Sequence, residues 1–193
     1  GIIYASSILG NNFSVSTGIA MAEKISGRNG ATFVLGGDGS IEEGSFYESL
    51  VIAKTLGLGL LFIIENNEWS LGTHISERRC PINLEQLANS VDIPYFRLED
   101  NHAHKYVEAL RSARERTLQE ENPVCIEVMV KTLGDRKTDD GRYVNYHAGP
   151  APTVNAATFM IRENEDDPVF VVNQEIGSEK LSELSQKIMK ELQ

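Results

Sequence analysis

At 193 residues, with 41% apolar and 24% charged side chains, the chain is long enough to bury one good core and carry a tail. No run approaches the roughly 18 apolar residues of a membrane helix, the net charge is −10 with no dense Lys/Arg cluster, and there are only two cysteines. That balance excludes a spanning segment, a polynucleotide partner and a disulfide framework, and points to a reducing cytoplasm with no signal peptide.

The opening Gly1-Ile2-Ile3-Tyr4 carries no initiator Met, so the chain reads as a domain, a processed subunit or a fragment. Ser14 to Lys24 is a predicted helix capped at Ser14, with Val15, Ile19, Ala22 and Ile25 spaced for one buried face. After the turn Gly27-Arg28-Asn29-Gly30, Ala31 to Leu35 is a predicted buried strand. Glu43 to Leu56 follows as a helix, with Phe46, Leu50 and Ala53 inward. Leu58 to Ile64, almost unbroken in apolar character, is the next strand. Asn83 caps a short helix from Leu84 to Asn89. Ile93 to Leu98 is a strand interrupted early by Pro94, Lys105 to Gln119 an amphipathic helix, and Val124 to Val130 a fourth strand. This alternation predicts an α/β fold, a mostly parallel sheet with helices on both faces in three layers. Past Lys131 the chain turns polar, and Gly134 to Pro152 reads as a long loop. Val154 to Arg162 reads as an ordered arm, Asn164 to Asp167 as a turn, and Glu179 to Leu192 as a helix with Leu181, Leu184, Ile188 and Leu192 on one side. The predicted organisation is a domain over 1–152 and a C-terminal arm and helix over 153–193.

Two short motifs close consecutive strands. Gly36-Gly37-Asp38-Gly39-Ser40 ends one and Glu65-Asn66-Asn67 ends the next. Neighbouring parallel strands bring both to the same edge of the sheet, where open α/β folds hold ligands. A carboxylate with a carboxamide makes a hard, all-oxygen site suited to Mg²⁺. Asp38 and Asn67 are the candidate metal ligands, with the backbone carbonyl of Trp69 as a third. The flanking glycines let backbone N–H groups approach an anion. Glu42 and Glu43 fall in the predicted first turn of the next helix, where they complement its dipole, the alternative being a buried Glu43 that braces the metal loop. Gly-x-Gly-x-x-Gly, expected of a dinucleotide-binding unit, is absent.

The stretch Gly37-Asp38-Gly39 … Glu65-Asn66-Asn67 resembles the thiamine-diphosphate motif, and residues 6 to 150 resemble the diphosphate-binding domain of transketolases and of 2-oxo acid dehydrogenase alpha subunits. The resemblance implies a thiamine-diphosphate-binding fold, with Asp38, Asn67 and Trp69 around Mg²⁺ and Gly37, Gly39 and Ser40 toward the diphosphate. Ser7-Ile8-Leu9-Gly10 resembles the segment at the aminopyrimidine end, which makes Leu9 and Gly10 cofactor contacts. His74 is close enough to the metal loop to meet cofactor or substrate. The implied partner is a pyrimidine-binding beta subunit or a missing domain, in a homo- or hetero-oligomer, without which the chain is inactive.

Asn66-Asn67-Glu68-Trp69-Ser70-Leu71-Gly72-Thr73 looks more like the dehydrogenase alpha subunits, so decarboxylation of a 2-oxo acid is expected. The region Thr132 to Asp140 departs from that branch: its histidine is missing and Arg136 stands near its place. Tyr146-His147-Ala148-Gly149 is similar to the transketolase pattern, which keeps ketol transfer open and makes His147 the candidate catalytic residue. A non-catalytic domain that retains the fold is the other alternative. His102 and His104, after Asp100-Asn101, are read as structural, although one resembles a transketolase loop histidine.

Overall fold

The computed structural model describes residues 3–134, 136–141, 143–144 and 152–192. They form two compact units, Gly1–Leu98 with Glu108–Met129, and Glu99–Val107 with Val130–Gln193. No helix among the described residues is long and apolar enough to cross a membrane.

The first unit begins with α1 (Asn11–Ile25), β1 (Thr32–Gly37), a 3₁₀ turn (Ser40–Glu42), α2 (Gly44–Leu56) and β2 (Leu60–Asn66). A small hairpin, β3 (Trp69–Ser70) and β4 (Thr73–His74), leads into α3 (Ile75–Arg78) and α4 (Leu84–Ser90). The chain then runs through β5 (Tyr95–Leu98), α5 (Ala103–Glu120) and β6 (Val124–Met129). The four longer strands form one parallel sheet in the order β1-β2-β6-β5.

Successive side chains of β2 point to opposite faces. Leu60, Phe62 and Ile64 join Phe13, Phe46 and Leu50 on the side of α1 and α2. Leu61 joins Ala113 of α5, Val124 and Ile126 on the other. Leu60–Ile64 is thus buried on both faces, as its unbroken apolar run requires, and each such side chain contributes about 1.5–3 kcal/mol. Beside edge strand β1 the second face is open, and Phe33 and Leu35 stay exposed.

Several boundaries differ from the sequence expectation. Helix α1 starts at Asn11 behind Gly10, whose φ of 76° suits glycine, so Ser14 lies inside the helix and does not cap it. Its buried face is Phe13, Ser16, Thr17 and Ala20, while Ile25 is exposed. Ser16 and Thr17 go inside because their hydroxyls donate to the carbonyl of Phe13 at 2.9 and 2.8 Å. Gly57, with φ 59°, ends α2, and the Leu58 N–H donates back to the Ala53 carbonyl, which delays β2 to Leu60. Pro94 has no N–H for the ladder, and β5 starts after it.

Gly36 faces the Phe13 ring so closely that a Cβ there would lie 2.4 Å from Cζ. Gly36→Ala is expected to destabilise the protein by about 1–3 kcal/mol through overpacking. An unshifted urea midpoint would refute that contact.

The second unit holds β7 (Arg136–Lys137), which pairs antiparallel with β8 (Tyr143–Val144), then α6 (Pro168–Ile176) and α7 (Ser178–Leu192). Buried Asp167 organises it. One carboxylate oxygen caps α6 through Val169 N–H at 2.8 Å, and the other accepts from Ile161 and Arg162 N–H at 2.6 and 2.9 Å. On α7 the buried positions are Leu181 and Ser185, whereas Leu184 and Ile188 of the predicted inner side are exposed. The Ser185 hydroxyl is satisfied by the Leu181 carbonyl at 2.9 Å, so a polar residue takes the inner place.

Candidate functional site

At the C-terminal edge of the sheet, Gly37 of β1 pairs with Glu65 of β2, and Asp38 N–H donates to the Glu65 carbonyl at 3.1 Å. The strand ends therefore deliver Asp38 and the Asn66-Asn67 turn to one place, as the motif spacing implies. Asp38 is only 2% exposed. Burial pushes its carboxyl above the usual carboxylate range, against the pull of the Arg78 and Arg79 guanidiniums.

The two asparagines have different roles. Asn66 Nδ2 donates to Glu127 Oε1 of β6 at 2.7 Å, and Tyr95 of β5 holds Glu127 Oε2 at 2.5 Å, so Asn66 is braced across the sheet. Asn67 Oδ1 accepts the Trp69 N–H at 2.9 Å and shapes the turn into the hairpin. Glu68 and Leu71 adopt φ of 65° and 54° within that turn and hairpin. The Trp69 ring meets His74 edge-on, centroids 5.0 Å apart. His74 caps α3: its Nδ1 accepts the Ser76 N–H at 3.3 Å, and its own N–H donates to Glu77 at 2.9 Å. Nδ1 is committed there, so a ligand contact by this ring falls to Nε2.

Leu9 is half exposed and Gly10 packs against the start of α2, where the Ser45 hydroxyl donates to its carbonyl at 3.0 Å. A Cβ on Gly10 would fall 2.5 Å from that hydroxyl oxygen. In the same segment Asn12 Oδ1 is buried without a hydrogen-bond partner, an acceptor that calls for a donor. Gly37 is open, its Cβ position meeting only the Glu65 carbonyl at 3.9 Å. Ser40 opens the 3₁₀ turn. His147 lies outside the described residues.

Glu42 corrects the sequence reading. It ends the 3₁₀ turn and Glu43 is the cap position of α2, so neither sits in the first turn of that helix. The Glu42 carboxylate accepts from Arg78 and from Arg79 Nε, the latter at 3.0 Å. Glu43 is exposed and does not brace the loop.

Arg78 and Arg79 are the site residues that motif reading missed. Arg78 donates through Nη2 to Asp38 Oδ2 at 2.5 Å and through Nε to the Thr73 carbonyl at 3.3 Å. Both guanidiniums are about one-tenth exposed. The signal that would have found them is electrostatic: two carboxylates at one strand end demand cations, and the capping pattern His74…Glu77 aims a short helix there.

Chemically, the Asp38 carboxylate, the Asn67 carboxamide and the Trp69 carbonyl are all oxygens, the donor set Mg²⁺ takes. The carboxylate already holds a cationic group in Arg78, so the locus suits positive charge. Cys125, buried in β6, is pushed up to about 12 by burial and stays a thiol.

The sequence profile of the dehydrogenase E1 component family matches residues 1–146. The chain is 32% identical over 135 residues to 2-oxoisovalerate dehydrogenase subunit alpha 1, mitochondrial, of Arabidopsis thaliana, covering 70% of this chain and 29% of that protein. It is 31% identical over 137 residues to the pyruvate dehydrogenase E1 component subunit alpha of Rickettsia bellii, covering 70% and 42%. It is also 31% identical over 127 residues to the same-named subunit of Staphylococcus aureus, covering 66% and 34%. The chain thus spans less than half the length of these relatives. Among solved structures, benzoylformate decarboxylase from Polynucleobacter necessarius aligns with TM-score 0.49 at 18% identity, over 65% of this chain and 24% of that one.

Proposed function

Because the chain belongs to the dehydrogenase E1 component family, we propose that it anchors thiamine diphosphate and Mg²⁺ in an alpha-like subunit that decarboxylates a 2-oxo acid. The observation that carries this reading is the buried Asp38 carboxylate brought beside the Asn67 turn by adjacent parallel strands. Asp38, Asn67 and the Trp69 carbonyl hold the metal, and Gly37, Gly39 and Ser40 present backbone N–H groups to the diphosphate. Leu9 and Gly10 lie toward the aminopyrimidine, and His74 contacts the ligand through Nε2. Bound thiamine diphosphate supplies an electron sink for breaking a carbon–carbon bond. His147 is the candidate for moving a proton near neutral pH. The carboxylate that polarises the aminopyrimidine belongs to a pyrimidine-binding beta subunit or to a domain outside these residues.

A second reading has its own support. Arg78 sits on the carboxylate that the metal needs, which favours a domain that keeps the fold without the cofactor. Calorimetry of thiamine diphosphate on the complex with its partner, in Mg²⁺ and in EDTA, separates the two. The expected result is binding that requires Mg²⁺ and falls at least about 100-fold in Asp38→Asn, which strips the negative charge from a direct ligand. Binding that ignores both Mg²⁺ and the substitution would remove the metal assignment, and no binding at all would favour the second reading.

A further inference from the structure

The second unit gathers two imidazoles and a carboxylate from distant parts of the chain. His102 precedes α5, His104 lies in its first turn, and Glu175 lies near the end of α6. His102 Nδ1 is 2.5 Å from Glu175 Oε1, and His104 Nδ1 is 3.6 Å from the same oxygen. One ligand-capable atom from each of the three lies within 4.8 Å of the others. Residues two apart do not share a face within a regular helix. Here His102 stands just outside the helix, after Asn101 with φ 55°, and the two rings approach to 5.6 Å between centroids.

The turn that carries them is braced. Asn101 Nδ2 donates to the Glu165 carbonyl at 2.9 Å, and its N–H donates to the Tyr106 hydroxyl at 3.3 Å. Asp100 accepts the His102 N–H at 3.3 Å and pairs with Lys105. The His102 carbonyl receives the Lys105 and Tyr106 N–H groups at 3.0 and 3.2 Å. A preformed turn lowers the ordering entropy that chelation must overcome.

We propose that His102, His104 and Glu175 form a solvent-accessible site for a divalent transition-metal ion of the Zn²⁺ class. Two imidazoles with one carboxylate are softer than an all-oxygen set and select Zn²⁺, Co²⁺ or Ni²⁺ over Mg²⁺. Tetrahedral Zn²⁺ with bonds of about 2.0–2.1 Å places neighbouring donor atoms roughly 3.3 Å apart. The two histidine–carboxylate separations, 2.5 and 3.6 Å, bracket that value. The side chains are 36%, 57% and 32% exposed, so small rotamer changes close the remaining gap and water completes the shell. The ion clips positions 73 residues apart, the start of α5 and the end of α6. Its role is structural and does not depend on the Asp38 reading, because the donors differ.

The test is calorimetric titration of Zn²⁺ into the full chain without a polyhistidine tag, paired with visible spectra of Co²⁺ on the same protein. The expected result is one ion per chain at a Kd on the order of 1 μM, with tetrahedral Co²⁺ bands. Asp38→Asn retains both signals. His102→Ala, His104→Ala and Glu175→Gln each weaken binding at least about tenfold, with circular dichroism unchanged. Absence of Co²⁺ bands on the wild-type chain, full affinity in all three variants, or loss in Asp38→Asn would each overturn the proposal.

Discussion

Arg78→Ala is expected to lower stability in EDTA by about 3 kcal/mol, because it strands a buried carboxylate without its partner. Asp38 is 2% exposed and its side chain is held by Arg78 at 2.5 Å, while Glu42 loses one of two guanidiniums. The deficit depends on pH in a defined direction. Burial already raises the Asp38 carboxyl, and losing the guanidinium raises it further. Between the unfolded and folded values the native state then binds the extra proton, so stability falls as pH rises through that window. The gap to wild type is therefore smallest in acid and full at neutral pH. Mg²⁺ provides the second readout. If Asp38 binds the ion, removing a competing cation tightens Mg²⁺ affinity by about tenfold and recovers part of the lost stability. Arg78→Lys keeps the charge and shows neither effect in full. Equal urea midpoints for wild type and Arg78→Ala in EDTA, with no gain in Mg²⁺ affinity, would sink the competition.

The alternation of strands and helices was legible in the sequence because parallel strands buried on both faces leave unbroken apolar runs. Leu60–Ile64 is the clearest of them. That the strand ends before Asp38 and before the Asn66-Asn67 turn lie side by side was legible too, since neighbouring parallel strands end on the same edge and Gly37 pairs with Glu65. What periodicity missed was the inner face of α1 and of α7. Ser16, Thr17 and Ser185 are buried because each hydroxyl finds a carbonyl in its own helix, and hydropathy does not register that satisfaction. Arg78 was invisible to motif spacing for another reason, although the two carboxylates at one strand end called for a cation. Its role arises from the tertiary position of a four-residue helix, and no spacing rule links positions 38, 42 and 78. The same holds for Glu127, whose cross-sheet grip on Asn66 depends on β6 lying beside β2.

Phe13→Ala is expected to be the most destabilising single apolar substitution near the site, at about 3–5 kcal/mol. The ring is fully buried, 4.9 Å from Phe46 and 6.2 Å from Phe62 by centroid, and it fills the space above Gly36. Its loss opens a cavity under the last residues of β1, two positions before Asp38. Loosening that strand end should weaken Mg²⁺-dependent ligand binding as well as stability, although Phe13 is no proposed ligand. Gly36 isolates the cause. In the wild-type background a methyl at Gly36 overlaps the ring, so Gly36→Ala is harmful; once the ring is gone, the same methyl enters empty space. The double variant Phe13→Ala/Gly36→Ala should therefore be no less stable than Phe13→Ala, with a coupling of about 1–3 kcal/mol. Additive losses in urea denaturation would mean that the ring and the glycine act separately, and that the strand end is held in place by something other than their contact.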